Sequence, residues 1–470
     1  MYTGKLSDEN ISCIFRDAAD FMRRQLRCGD HTLYAYAIDG LIASAYASDY
    51  IFKPITQHLE APTMAQLYES ALSGMIYNNV AKPCEDLDTV ALMLVNGFCV
   101  VLFPEVGAIA FEVRTPDKRN TAPPEVENTV KGAKDAFVET IRSNTSYVQR
   151  HLRSPDLRLF EMQVGKRTLT NVSVVWLEGI TDPALVEKMK QRLQAIDIEG
   201  FLTPSSVEEY VTGSRATAFP LLQYTERSDR FSQGILSGRV GLLIDGLPLG
   251  YLAPVDLMYL MESPEDLGRD YVGASAVRVL RYLALLASLF VPGIYIALAA
   301  FHQDMVPLPM LLSMIESKQA VPFTTTSEVL GLLIAFELLQ ESGIHLPQAI
   351  GQSVSVVGGI VVGSAAVEAG IISPMALIAV SVAGICGFVL PNRDLANAVR
   401  IWRFGIAVLS CIGGLYGTLA GALILLIHLS SLKSLGISYL APTGKILRPR
   451  LKKQKFRNIQ LNPQDRRNQK

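Results

Sequence analysis

The residues whose types and spacing point to chemistry lie in the second half of the chain. Glu337 and Glu341 stand four apart in and just after VLGLLIAFELLQ (329–340), so a helix puts both carboxylates on one face. Turned toward a pathway, such a pair selects cations; turned toward water, it is the polar face of an interfacial helix. Both readings stand at this level. Residues 350–372, IGQSVSVVGGIVVGSAAVEAGII, form the second feature, dense in Gly, Ser and Ala. Gln352, Val356, Ile360, Gly363 and Val367 recur at three- or four-residue spacing along one face, with Ser364 beside them. A narrow apolar constriction with a polar mouth is what a dewetting gate requires. Close helix packing through Gly359 and Gly363, a G-x-x-x-G pair, accounts for the same small residues.

Other constellations are weak. The six histidines include His31, His58 and His151, scattered through the first half, and no Ser/His/Asp constellation stands out. Asp245-Gly246 and Gly238 match neither G-x-G-x-x-G nor G-x-x-x-x-G-K-[ST], so turn chemistry explains them. The six cysteines, at 13, 28, 84, 99, 386 and 411, show no CxxC pair, which argues against a zinc site or a disulfide framework. The sequence calls for neither an enzyme, a cofactor nor a resident metal.

The elements that must carry the acids and the small-residue helix are apolar. The chain has 470 residues, 43 Lys and Arg against 44 Asp and Glu, and a net charge of −1, which excludes a generally basic nucleic-acid binder. That neutrality is a cancellation. Between positions 282 and 391 there are seven charges, six of them acidic, while 445–470 holds ten basic residues and one acid. Membrane helices need about 20 apolar residues. Spans are expected at 282–301, 350–372, 375–390 and 404–429, with 329–341 as a short re-entrant or interfacial helix. The N-terminus has acids and no continuous apolar core, so no signal peptide is expected and the front half should be cytoplasmic. The basic tail should share that side, which four spans satisfy. That count leaves Arg393, Arg400 and Arg403 on the outer side, against the usual charge bias.

The first half reads as two small α/β subdomains, at 1–114 and 129–272, joined by a proline-rich linker at 115–128. An amphipathic helix is expected over 8–27, strands over 31–41, 98–103 and 108–113, and a helix from Asp86 ended by Gly97. In the second subdomain, helices are expected over 135–152, 182–196 and 227–236, and strands over 157–164, 171–176, 240–244 and 249–253. Helix, glycine, strand, turn and strand occur at 94–110 and again at 236–251, with Gly97 and Gly238 141 residues apart. Duplication and chance recurrence of a common hairpin both explain this. The membrane domain then occupies 273–432 and the tail 433–470, an α/β region followed by a helical multi-pass domain.

A series of short runs carries a family resemblance. They are KDAFVE (134–139), TERSD (225–229), GRVGLLIDGLP (238–248), SPED (263–266), Arg278 with Arg281, FHQ (301–303), VPF (321–323), ELLQESGIHLP (337–347), 350–370, 400–404 and YLAPTG (439–444). In this order they resemble the A subunit of GerA-type spore germinant receptors over nearly the whole chain after the linker. The resemblance implies a subunit of a nutrient sensor in the spore inner membrane. Its partners would be membrane lipid, further A subunits, a transporter-like B subunit and a lipoprotein C subunit. It further implies an oligomeric path for monovalent cations, with Val356, Ile360, Gly363, Ser364 and Val367 as pore and gate. Glu337, Glu341 and Gln352 would form the polar approach. The alternative is a non-conducting membrane scaffold that couples the transporter-like partner to germination. Two positions depart from the family pattern: His345 stands where arginine is frequent, and Ser364 where glutamine is common.

Overall fold

The computed structural model describes residues 4–57, 63–73, 80–113, 132–200, 203–213, 217–345 and 363–440, with Tyr2, Ile76, Pro124, Glu127 and Thr129. The chain divides into two compact units, whose described residues are those up to 213 with those of 222–254 in the first, and those of 217–221 and 255–440 in the second. Most of the expected linker and the basic tail lie outside the described residues, as do Gln352, Val356 and Ile360.

The first unit contains two sheets of the same design. In the first half, α1 (Asp8–Ile14) precedes β1 (Phe21–Cys28) and β2 (His31–Ile38), and α2 (Met64–Leu72) precedes β3 (Ala81–Cys84). Then come α3 (Leu87–Val95), β4 (Phe98–Phe103) and β5 (Gly107–Glu112). The sheet order is β1-β2-β4-β5-β3, antiparallel throughout. The continuous apolar run FCVVLF follows from helices on both faces. Cys99, Val101 and Phe103 enter a core with Ile51, Ile55 and Leu67, while Phe98, Val100 and Leu102 enter another with Ile11, Val90 and Leu94. Alternation across a doubly covered strand makes every position apolar.

The second half repeats this plan. It runs α4 (Ile141–His151), β6 (Leu157–Val164), β7 (Thr170–Leu177), α5 (Pro183–Gln194) and α6 (Pro204–Thr212). It continues with β8 (Gln223–Thr225), α7 (Ser228–Leu236), β9 (Val240–Ile244) and β10 (Gly250–Ala253). Its sheet order, β6-β7-β9-β10-β8, matches the first position for position. Gly97 (φ 80°) and Gly238 (φ 87°) each release the chain from a helix into a central strand. They are 141 residues apart, as are the helix starts Leu87 and Ser228 and the strand ends Phe103 and Ile244. A constant offset through helix, turn and strand, within one strand order, makes the recurrence a duplicated architecture.

Two expected helices form differently. The apolar spacing over 8–27 belongs to two elements: α1 stops at Ile14, Asp17 turns the chain at φ 66°, and β1 pairs with β2 from Phe21↔Ile38 to Cys28↔His31. Residues 135–140 are likewise not helical. Ala136 bridges to Arg227, and the Phe137 amide donates to the Glu226 carbonyl at 2.7 Å. Asp245 sets the start of α4 by accepting from the Ile141 amide at 3.0 Å, which gives the Asp245-Gly246 turn a structural task.

Candidate functional site

The second unit is built from α8 (Tyr271–Ala300), α9 (Leu308–Lys318), α10 (Thr325–His345), α11 (Pro374–Phe388) and α12 (Arg393–Ser431). By length and composition α8 and α12 are each apolar enough to cross a membrane, with mean hydropathies of 2.2 and 1.9. α12 is not a straight rod. Gly414 takes φ 56° and ψ −132°, and the chain folds back on itself there. Thr418 Oγ1 reaches Ser410 Oγ at 3.0 Å, and the rings of Trp402 and His428 lie 5.3 Å apart. Helical rise would place those rings roughly 39 Å apart in a rod. The expected span at 404–429 therefore straddles a hairpin of two arms, 393–413 and 415–431.

Small residues make the hairpin possible. A Cβ at Gly417 would lie 2.0 Å from the Leu409 carbonyl oxygen, and one at Gly421 3.1 Å from the Ile406 side chain. The tip rests on the end of α8, where Phe301 and His302 face Gly414. α8 carries Pro292 in its interior, one residue before Gly293. The Ser410 hydroxyl donates to the Gly293 carbonyl at 2.6 Å, and Thr418 donates to the Gly414 carbonyl at 3.1 Å. Buried hydroxyls thus bond backbone carbonyls at Gly293 and at the Gly414 reversal.

Side-chain pairs fix the helix directions. Gly387 of α11 borders both Ser288 and Arg403, Gly293 borders Ile406, and Phe301 borders Gly414, so α8 and the first arm run parallel. Glu328 meets Ser373 and Phe336 meets Gly384, so α10 and α11 run parallel to each other. Arg403 meets Ala383 and Phe336, and Ala407 packs with Val329 and Ala376, so both oppose the first arm.

Several buried charged groups lie within this unit. Arg281 holds both oxygens of Asp266, at 2.6 and 2.8 Å, and donates to the Met261 carbonyl at 3.1 Å. Asp266 also accepts from the Ser263 amide at 3.1 Å, which joins the SPED run to Arg281 in one arrangement. Burial alone would raise the Asp266 carboxyl. The hydrogen bonds from Arg281 and Ser263, with the Arg281 and Arg278 charges, hold it below the ordinary carboxylate range. Glu328 is buried, accepts from the Ser373 amide at the start of α11, and lies 3.8 Å from Lys318 Nζ. Arg403 is 2% exposed, and one of its amino groups donates to the Ala383 carbonyl at 3.3 Å. Its Nε has no hydrogen-bond partner among the described residues, nor has the nearby Ser288 hydroxyl. The ring of Phe336 covers the guanidinium at 6.0 Å.

The residues singled out from sequence fall unevenly on this frame. Glu337 pairs with Arg400 at 2.8 Å, and Arg400 also reaches Gln340 and Asn397. Glu341 is exposed one turn further on. Gly363 and Val367 are half-buried and Ser364 is exposed. A Cβ at Gly363 would meet Leu377 of α11 at 3.6 Å. The remaining gate positions, Val356 and Ile360, and the approach residue Gln352 are outside the described residues.

In the first unit the fold assembles a Ser/His/Asp group that sequence separation hid. His151 Nε2 lies 2.8 Å from Asp135 Oδ2 and 3.0 Å from Ser228 Oγ. Acid and hydroxyl share one ring nitrogen, so the relay of a catalytic triad, which uses both nitrogens, is not formed. The group ties the 135–140 segment to α7. Burial alone would raise the Asp135 carboxyl, but hydrogen bonds from His151, its own amide and Ser228 hold it below the usual range. Beside it, Arg227, 1% exposed, grips Asp229, the Glu127 carbonyl and Thr129, which gives the TERSD run a structural role. Among the described residues no group of three or more His, Cys, Asp or Glu is placed to hold a metal ion.

Comparison with known proteins covers both units. The family profile described as Bacillus/Clostridium GerA spore germination protein matches residues 9–469. The chain is 32% identical over 447 residues to the protein named "Uncharacterized membrane protein YfkQ" of Bacillus subtilis (strain 168), covering 94% of this chain and 86% of that one. Spore germination protein KA of the same organism is 30% identical over 429 residues, covering 90% and 79%. Spore germination protein A1, also of that organism, is 33% identical over 366 residues, covering 77% and 76%. Among solved structures, the N-terminal domain of the A subunit of the Bacillus megaterium spore germinant receptor GerK3 aligns with a TM-score of 0.42 at 23% identity, over 54% of this chain and 96% of that one.

Proposed function

This chain belongs to the GerA family as an A-type germinant receptor subunit, and we propose that it oligomerises in the spore inner membrane to form a nutrient-gated cation path. The carrying observation is the family match across 9–469, which takes in the α/β unit and the helical unit together. A transporter-like B subunit and a lipoprotein C subunit complete the receptor in this reading, and no catalytic step is assigned to the chain. Six of the seven charges between 282 and 391 are acidic, which suits cations. Val356, Ile360, Gly363 and Val367 line the constriction, with Ser364 beside it. Gln352, Glu337 and Glu341 shape the approach, Glu337 being partly neutralised by Arg400.

The hairpin supports a six-pass arrangement in place of four spans. A hairpin returns the chain to the side it left, so α12 counts as two passes. α10 has 21 residues, about 31 Å at 1.5 Å each, enough for a pass of its own. With α8, α10, the 350–372 segment and α11, the total is six. The α/β unit and the basic tail stay cytoplasmic, and Arg393 and Arg400 now fall near that side, as charge bias favours. The helix directions are consistent with this path: α8 and the first arm outward, α10 and α11 inward.

Replacing Ile360 with Ala tests the gate. Spores carrying I360A should leak monovalent cations and germinate without nutrient; normal dormancy with normal ion retention would remove Ile360 from the gate. One observation favours a second reading, the non-conducting scaffold. Arg403 is a buried cation within the helical unit with no acid within ion-pair distance among the described residues, and it would repel cations passing close by.

A further inference from the structure

The two halves of the α/β unit meet along a short seam. The Ala19 amide donates to the Leu159 carbonyl at 3.0 Å, beside a bridge between Ala18 and Leu159, while within the first half the Asp39 amide donates to the Asp20 carbonyl at 2.8 Å. A small, largely apolar cavity opens beside this seam, lined by Phe15, Ile38, Leu41, Leu152 and Leu157, with Asp20 and Gln149 as polar members. We propose that Asp20 and Gln149 form a proton-binding latch, in which the neutral carboxylic acid of Asp20 closes the seam on α4 and its ionisation loosens it.

Asp20 is 4% exposed and Gln149 6%, and the Gln149 amide nitrogen donates to the Asp20 carboxyl. The amide oxygen of Gln149 is buried and has no hydrogen-bond partner among the described residues. An ionised carboxylate has no proton to offer it. A carboxylic acid does, and acid and primary amide then form a reciprocal pair in which each donates once and accepts once. The missing bond is the one protonation supplies.

The surrounding charges favour the same state. The charged groups facing Asp20 are Asp39, after β2, Arg142 of α4 and Glu161 of β6. Arg142 lies 3.4 Å from Asp39 and 2.9 Å from Glu161, so one guanidinium already serves two carboxylates. A third charge in the cleft would lack a counter-ion. Burial, with Glu161 and Asp39 adding to it, pushes the Asp20 carboxyl up to about 6, against its own amide and Arg142. In the unfolded chain the group ionises near the ordinary value of about 3.9. The native state therefore holds the proton longer, and the latch weakens as pH rises from about 4 to about 6. The step is Asp20–COOH releasing H⁺ to solvent, with no other reactant.

Hydrogen exchange on the full chain in detergent micelles tests this, followed from pH 5 to 8 and corrected for intrinsic exchange. Peptides covering 18–21 and 157–161 report the seam directly, since the Ala19 amide bonds across it. Wild type should lose protection there with a midpoint near 6, and Asp20→Asn, a neutral isostere, should lack that transition. Glu161→Gln frees Arg142 and should lower the midpoint, whereas Arg142→Gln should raise it. These two remain informative should D20N fail to fold. A flat wild-type profile, an unchanged transition in D20N, or no opposed shift in the Glu161 and Arg142 variants would overturn the latch.

Discussion

Asp266→Asn removes the negative half of the most enclosed ion pair in the helical unit. Asp266 is 8% exposed and Arg281 6%, and the contact is bidentate at 2.6 and 2.8 Å. The variant leaves the guanidinium buried with an amide oxygen and the Met261 carbonyl as acceptors. At an effective dielectric constant of 20 and a charge separation near 4 Å the lost attraction is about 4 kcal/mol, and breaking buried pairs typically costs about 3–5 kcal/mol. We expect a loss of about 3–4 kcal/mol. Trp402 supplies the assay, since it stacks near Phe219 and His428 within the same unit and the second tryptophan, Trp176, is removable as Trp176→Phe. Denaturant unfolding in micelles, read from Trp402 fluorescence, gives the free energies. The double variant Asp266→Leu/Arg281→Met replaces charge by apolar volume and should recover most of the loss. The folded-state carboxyl is held below the ordinary range, so the pair's contribution is complete at neutral pH and fades as pH falls below about 4. A D266N variant within about 1 kcal/mol of wild type, or a double variant as unstable as the single one, would refute the reasoning.

Three further outcomes follow from the helical unit. Gly414→Ala should destabilise by about 2–4 kcal/mol on the Trp402 probe, from backbone strain and the 2.9 Å approach to Phe301, while Gly405→Ala, with open space around it, should be neutral or stabilise by about 0.5–1 kcal/mol. Arg403→Met keeps most of the volume and removes a buried charge with no ion-pair partner among the described residues, so on the same probe it should raise stability by about 1 kcal/mol or more; a loss would show that the guanidinium's bond to the Ala383 carbonyl and its packing on Phe336 outweigh the cost of burying it. In a background lacking Cys13, Cys386 and Cys411, a cysteine at Tyr416, 79% exposed at the hairpin tip, should react with an impermeant maleimide from outside intact cells. One at Arg393 should react only after permeabilisation, and the reverse pattern would overturn the six-pass arrangement.

What the sequence made readable depended on how local the cause was. Gly97 and Gly238 marked a recurring pattern because each ends a helix by a backbone conformation that glycine adopts freely, but duplication and chance remained open until the two strand orders and the constant 141-residue offset could be compared. The strand run FCVVLF was equally plain, as both its faces are covered. The helix expected over 8–27 failed because apolar residues of α1 and β1 happen to share helical spacing, and the turn between them rests on Asp17, an uncommon residue at positive φ. The hairpin in α12 was hidden by composition: hydropathy measures apolar content and does not register a reversal at a glycine pair. The polar interior was hidden by distance. Glu337 finds Arg400 63 residues away, Ser228 finds His151 77 away, and Asp20 finds Gln149 129 away. Only the fold brings such groups together.

Conduction by oligomers of this subunit, as proposed above, is open to direct measurement. Purified protein, reconstituted in liposomes with the B and C partners and loaded with potassium, should release the cation when nutrient is added. Liposomes carrying the Ile360→Ala variant should release it without nutrient. Oligomers that pass no monovalent cation, with or without partners and nutrient, would rule out a cation path and leave the non-conducting scaffold.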